Sequence, residues 1–187
     1  MRLFTAIDLP ESIEEHLAAL IARLRPLARL AWTRSEKLHV TTRFIGEWPE
    51  QRLEELKRAL RGVGSPGAIE VAIGGLGWFP NARNPRVLWA GVHAGAALES
   101  LAHATDAAVH AIGVAKADRE FTAHLTLARI RERVPQRGSQ RGSLDALRDA
   151  IGKIEAAEFG AFRATAFHLY LSAAGRYTRL AEFGLTA

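Results

Sequence analysis

Cysteine is absent from all 187 residues, which removes disulfides, thiolate zinc sites, iron–sulfur clusters and a cysteine nucleophile together. No apolar leader is expected either. The opening stretch MRLFTAIDLPESIEEH puts Asp8, Glu11, Glu14 and Glu15 where a signal peptide needs hydrophobic residues. No apolar run approaches the roughly 20 residues of a membrane span, and Arg23, Arg25 and Arg29 break the best candidate. The glycine-rich Gly74-Gly75-Leu76-Gly77 lacks the Gly-Lys-Ser/Thr of a phosphate loop and reads as a flexible strand region. Lysine is scarce: only Lys37, Lys57, Lys116 and Lys153 stand among 25 basic residues, so arginine carries the net charge of +5. That charge points to an anionic partner, nucleic acid first, although a biased genome composition accounts for it equally well. The expectation is a cytoplasmic protein with no membrane partner, no cofactor and no protein partner written in the chain.

What is present has the order of a mixed α+β fold. Arg2–Asp8 reads as a strand ending at Pro10. From Glu11, the apolar residues Ile13, Leu17, Leu20, Ile21 and Leu24 recur at helical spacing until Pro26. Ala31–Trp32 and Leu38–Ile45 read as strands around a turn at Arg34–Lys37, and a helix after Pro49 carries Leu53, Leu56, Leu60 and Val63. Ala68–Phe79 and Arg86–Val92 are predicted strands joined by the turn-rich Pro80–Pro85, followed by a helix over Ala96–Ile112. His124–Ile130 is a further strand. A polar loop then runs to Ser143, a candidate N-cap for a helix bearing Leu144, Leu147, Ile151 and Ile154. Glu158–Ala173 and Tyr177–Leu185 close the chain as strands around a turn at Gly175. Leu38–Ile45 and His124–Ile130 are each flanked by helices, and the following helices share one apolar spacing, which suggests two similar halves.

The halves share a chemical signature. Leu38-His39-Val40-Thr41 and Ala123-His124-Leu125-Thr126 both read apolar-His-apolar-Thr. Alternation along a strand puts His39 with Thr41 on one face and His124 with Thr126 on one face. With ten threonines in the chain, roughly one His in twenty meets a Thr at i+2 by chance, so the matched pair carries more weight than either motif alone. Two imidazoles facing one cleft form a general acid–base pair titrating near neutrality. The hydroxyls can donate to phosphate oxygens, and Arg43 and Arg129 can neutralise charge. Parity puts Arg43 on the His39 face, whereas Arg129 reaches the His124 face only through a bulge or a strand end. A zinc site is not expected, because neither His spaced i, i+4 nor a nearby carboxylate accompanies the motifs. His16 and His103 read as helix-surface residues, and His93, His110 and His168 as packing or surface residues. Arg131, Arg133, Arg137 and Arg141 either guide an RNA backbone or form a solvated loop. Trp32, Trp78, Trp89 and Phe79 read as core, with base stacking the alternative.

At these residues the chain resembles the two-histidine (2H) phosphoesterase superfamily, and within it the RNA 2′,3′-cyclic phosphodiesterases of bacteria and archaea, also described as 2′–5′ RNA ligases. RLFTAIDLP at Arg2–Pro10, LHVTTRFIGE at Leu38–Glu47, HLTLARI at His124–Ile130 and the LYLS…GRYTRL ending at Leu169–Leu180 carry the resemblance. Arg43 departs from the family's usual apolar or small residue, and Ala123 from the proline that often precedes the second histidine. The resemblance implies an α+β bilobal fold, with pseudo-two-fold duplicated antiparallel sheets lining a central cleft and helices packed outside. Residues 1–187 would form one domain of two intertwined lobes. It also implies metal-independent opening of RNA or nucleotide 2′,3′-cyclic phosphate ends to a 2′-phosphomonoester. His39 would be the proton donor, His124 the proton acceptor, and Thr41, Thr126 and Arg129 the phosphate ligands. The residues alone leave acid and base unassigned. Joining to a 5′-hydroxyl end and a non-catalytic RNA-end-binding module are the alternatives.

Overall fold

Among the described residues, nine strands fall into two antiparallel sheets, and the chain crosses between them four times. The computed structural model describes residues 1–64, 67–130, 140–154 and 156–185. The strands are β1 Arg2–Asp8, β2 Ala31–Trp32, β3 His39–Glu47, β4 Ile69–Phe79, β5 Val87–His93, β6 His124–Arg129, β7 Glu158–Ala164, β8 Ala166–Ala173 and β9 Arg176–Gly184. The helices are α1 Glu11–Leu24, α2 Leu53–Arg61, α3 Gly95–Ala111 and α4 Gln140–Gly152. One sheet has the order β3-β1-β8-β9 and the other β2-β6-β5-β4-β7. The fold is α+β with antiparallel sheets and helices, as the sequence pattern predicts.

Helix α1 starts directly after Pro10, with Glu11 and Glu14 in its first turn against the positive end of the helix dipole. Its apolar stripe buries Ile13, Leu17, Leu20, Ile21 and Leu24, and it packs on β7 of the five-stranded sheet. Helices α2 and α3 pack on each other and back the four-stranded sheet through β9 and β3 respectively. The buried apolar residues of both sheets and these helices join into one core, from Leu3 and Ile7 through Leu88 and Leu125 to Leu169 and Leu185. Fully burying a side chain of this kind contributes about 1.5–3 kcal/mol. Among the described residues no helix is long and apolar enough to cross a membrane.

Two expectations are corrected. Glu158–Ala173 is not one strand: it breaks at Thr165, β7 closing the edge of the five-stranded sheet and β8 pairing with β1. Sixteen extended residues would span about 50 Å, longer than the 11-residue β4 beside β7, so the run serves two sheets in turn. The backbone N–H of Leu185 donates to the Thr165 carbonyl at 2.7 Å and pins the crossing. Ser143 does not cap α4, which begins at Gln140; Gln140 and Arg141 are good helix formers and carry the helix back past it. Gly175, by contrast, occupies the predicted turn with φ +72°.

Candidate active site

His39 and His124 are the first residues of β3 and β6, strands whose Cα atoms approach within 8 Å across the sheets. Between them lies a cleft of about 640 Å³, lined by His39 and Thr41 from one sheet and His124, Thr126 and Arg129 from the other. Five of the six residues singled out from sequence therefore meet. Arg43 does not.

The two imidazoles are held by the same device. Nδ1 of His39 donates to the Lys37 carbonyl at 2.7 Å, and Nδ1 of His124 donates to the Thr122 carbonyl at 2.7 Å. A carbonyl only accepts, so each Nδ1 carries its hydrogen and each Nε2 is the nitrogen left to exchange a proton. Aromatic rings fix the planes. Phe4 stacks on His39 at 4.8 Å and Tyr177 meets it edge-on at 5.3 Å, while Phe79 meets His124 edge-on at 5.0 Å.

Burial pushes both histidines below the ordinary imidazole value near 6.5. Their other neighbours differ. At His39 the Lys37 carbonyl and the Asp8 carboxylate oppose the drop. At His124 the Thr122 carbonyl opposes it, but the Arg129 guanidinium adds to it. Asp8 is the cross-strand partner of His39. Its carboxylate accepts from Tyr170 Oη at 2.6 Å and pairs with Arg179. Burial and that carboxylate push the Tyr170 phenol up to about 12. The charged neighbours thus differ in sign, a carboxylate beside His39 and a guanidinium beside His124.

A bulge in each strand decides which arginine enters the cleft. In β3, Thr41 opposes Ala6 and Arg43 opposes Thr5, so Thr42 is the extra residue. In β6, Thr126 opposes Trp89 and Ala128 opposes Leu88, so Leu127 is extra. Leu127 and Ala128 are both fully buried, and alternation resumes one residue late. Arg129 thereby reaches the His124 face, by the bulge that strand parity required. The same shift turns Arg43 away from the cleft. Its Nε pairs with Asp106 of α3 at 2.6 Å, and its guanidinium also donates to the Ala115 carbonyl. Phe44 takes the cleft position instead, with its ring 6.2 Å from Phe4. Counted from its histidine, Phe44 in β3 stands where Arg129 stands in β6.

Several lining residues had no sequence signal. Thr33 enters because its Oγ1 donates to the Thr126 carbonyl at 2.8 Å and its N–H to Leu127 at 2.9 Å. Lys37 reaches the rim, donating to the Gly175 carbonyl with its ammonium 5.4 Å from the Tyr177 ring centre. Phe44, by contrast, was findable, since it stands five residues after its histidine as Arg129 does in β6. The aromatics read as core are partly buried, and Trp89 lies over Gly77, where a Cβ would overlap the indole. His16 and His103 are on helix surfaces, and His168 is buried with Nε2 3.1 Å from Glu182. Arg131, Arg133 and Arg137 lie outside the described residues, and Arg141 falls in the first turn of α4. Among the described residues, no three His, Asp or Glu side chains cluster to hold a metal ion.

The LigT-like phosphoesterase family matches residues 7–89. A protein named RNA 2′,3′-cyclic phosphodiesterase from Archaeoglobus fulgidus is 30% identical over 169 residues, 90% of this chain and 89% of the relative. Its namesake from Methanocaldococcus jannaschii is 30% identical over 172 residues, covering 92% and 91%. Escherichia coli LigT, solved in complex with 3′-AMP, superposes with a TM-score of 0.76 at 26% identity, covering 100% of this chain and 98% of that one.

Proposed function

The chain belongs to the LigT-like phosphoesterase family, and from that premise we propose that it opens RNA and nucleotide 2′,3′-cyclic phosphate ends by paired-histidine catalysis. The observation that carries the mechanism is the matched pinning of both Nδ1 atoms, which leaves two Nε2 atoms for one cleft. His124 is the base: its Nε2 takes a proton as the water oxygen bonds to phosphorus. His39 is the acid: its Nε2 gives a proton to the 3′ oxygen as the P–O3′ bond breaks. The products are a 2′-phosphomonoester and a free 3′-hydroxyl, and solvent returns the histidines to their starting states. Asp8 beside His39 and Arg129 beside His124 support this division of roles. Thr41, Thr126 and Arg129 hold the non-bridging oxygens as charge builds on them. Residues 1–187 act as one domain of two intertwined lobes, each supplying one imidazole. An RNA substrate fits a cytoplasmic protein with a positive net charge.

Phosphorus NMR of a nucleoside 2′,3′-cyclic phosphate incubated with the protein and EDTA tests this reading. The 2′-phosphate should accumulate at an undiminished rate, since two imidazoles supply both proton transfers. A dominant 3′-phosphate would reverse the inferred leaving oxygen, and an intact ring would defeat the reading.

A further inference from the structure

Among the described residues, three arginine and lysine side chains line the cleft: Arg129, Lys37 and Arg2. The first two have assignments. Arg129 stands beside His124 and serves the reacting phosphate in the reading above. Lys37 is committed to the Gly175 carbonyl, with its ammonium near the Tyr177 ring. Arg2 is exposed, and its guanidinium makes no hydrogen bond or ion pair with any described residue. Glu47, its cross-strand partner, pairs instead with the N-terminal ammonium at 3.4 Å.

Strand geometry puts Arg2 on the cleft face. Leu3 turns into the core at 1% exposure, so Arg2 shares the face of Phe4, which lines the same cleft. On the other side of β1, Leu171 of β8 opposes Leu3, which sets Ser172 beside Arg2. Ser172 lines the cleft too, and its hydroxyl likewise has no hydrogen-bond partner among the described residues. Gly46 of β3 completes this end of the cleft with backbone alone. Thr41 opposes Ala6, so Arg2 lies about 13 Å along β1 from the Thr41 position. One nucleotide and an extended arginine side chain cover that span.

A mononucleotide 2′,3′-cyclic phosphate carries a single phosphate, which Arg129 and the two threonines answer. An RNA end carries a second charge close by, the phosphodiester on the 5′ side of its last nucleoside. A guanidinium beside a hydroxyl, both without partners, matches the two non-bridging oxygens of such a group. We propose that Arg2 and Ser172 form a subsite for this upstream phosphodiester, so that the cleft distinguishes an RNA end from a mononucleotide. The inference rests on the ring-opening reaction proposed above and assigns two cleft residues that the reaction leaves unused. Phosphate contacts of this kind fix position without reading sequence, so the subsite selects for chain length and not for the base.

Steady-state kinetics would compare the dinucleotide ApA ending in a 2′,3′-cyclic phosphate with adenosine 2′,3′-cyclic phosphate, which has the same reacting nucleoside. In the wild-type protein kcat/KM should favour the dinucleotide. For Arg2→Ala the ratio of the two values should fall about tenfold, mostly through KM, with a smaller fall for Ser172→Ala and partial recovery in Arg2→Lys. A dinucleotide whose internal linkage is a neutral methylphosphonate should show no difference between the wild-type protein and Arg2→Ala. An unchanged ratio in Arg2→Ala, or an equal loss on the methylphosphonate, overturns the subsite. Calorimetric binding of ApA 2′-phosphate and of its methylphosphonate analogue reads the same preference without turnover. Should the wild-type protein open neither cyclic phosphate, the reaction fails, while the binding comparison still decides the subsite.

Discussion

Alanine in place of His124 or of His39 should lower kcat about a hundred- to ten-thousandfold, the range that one positioned acid or base supplies. Each variant keeps a partner able to perform only half of the exchange. Without His124 the water must lose its proton to solvent, and without His39 the 3′ oxygen must leave as an alkoxide. The fold should survive, because both imidazoles are only partly buried at strand starts and each makes one hydrogen bond, to a carbonyl two residues back. His39→Ala removes the ring that stacks on Phe4, so thermal melting should accompany the kinetics. Wild-type turnover in either variant would end the two-histidine mechanism.

Arg129 is expected to carry the second-largest effect. Arg129→Ala should cost about a hundred- to a thousandfold in kcat/KM, the usual loss for one donor to a developing oxyanion. It should also move the pH profile in a definite direction. The guanidinium holds the His124 imidazole down, so removing it raises that pKa, and the acid limb of the profile shifts toward higher pH. Arg129→Lys should recover part of the rate, lacking the planar fork that grips two oxygens. Arg43→Ala is the control. Its guanidinium is committed to Asp106 and the Ala115 carbonyl behind β3, so the melting temperature should fall and kcat should stay within a few-fold. Rate data showing Arg43 as the critical cation would refute the placement made by the bulges.

Much of this site could be read from local pattern, and the rest required pairing. His39, Thr41, His124 and Thr126 sit two residues apart in short strands, where alternation holds, and each pair lines the cleft as parity predicts. Parity fails one step further on. Thr42 and Leu127 are extra residues only relative to the strands opposite them, and nothing in Thr41-Thr42-Arg43 marks the bulge. The motif in β6 hinted at one, because Arg129 could reach its own histidine's face no other way; carrying that bulge to β3 by the likeness of the halves would have exchanged Arg43 for Phe44. Tyr177 and Lys37 are brought together by the β8–β9 hairpin, with Lys37 donating to Gly175 across 138 residues of sequence, beyond any periodic signal. The break at Thr165 was hidden for a similar reason. Both sides of it read as strand, and only the partners of β7 and β8 show that they belong to different sheets.

The pH dependence of wild-type kcat/KM bears most directly on acid–base catalysis by the two histidines. In the proposed mechanism the productive form carries a proton on His39 and none on His124, so the rate should rise as the base deprotonates and fall as the acid does. Burial lowers both imidazoles, which moves the expected maximum from neutrality to the acid side of 6.5. The two groups share one phosphate, so the limbs report the pair. In kcat the bound anion favours the imidazolium, and the alkaline limb should move up. A bell on the acid side of 6.5, retained at lower height in Thr126→Ala, is the expected result; a flat profile from about pH 5 to about pH 9 would contradict proton transfer by the paired histidines.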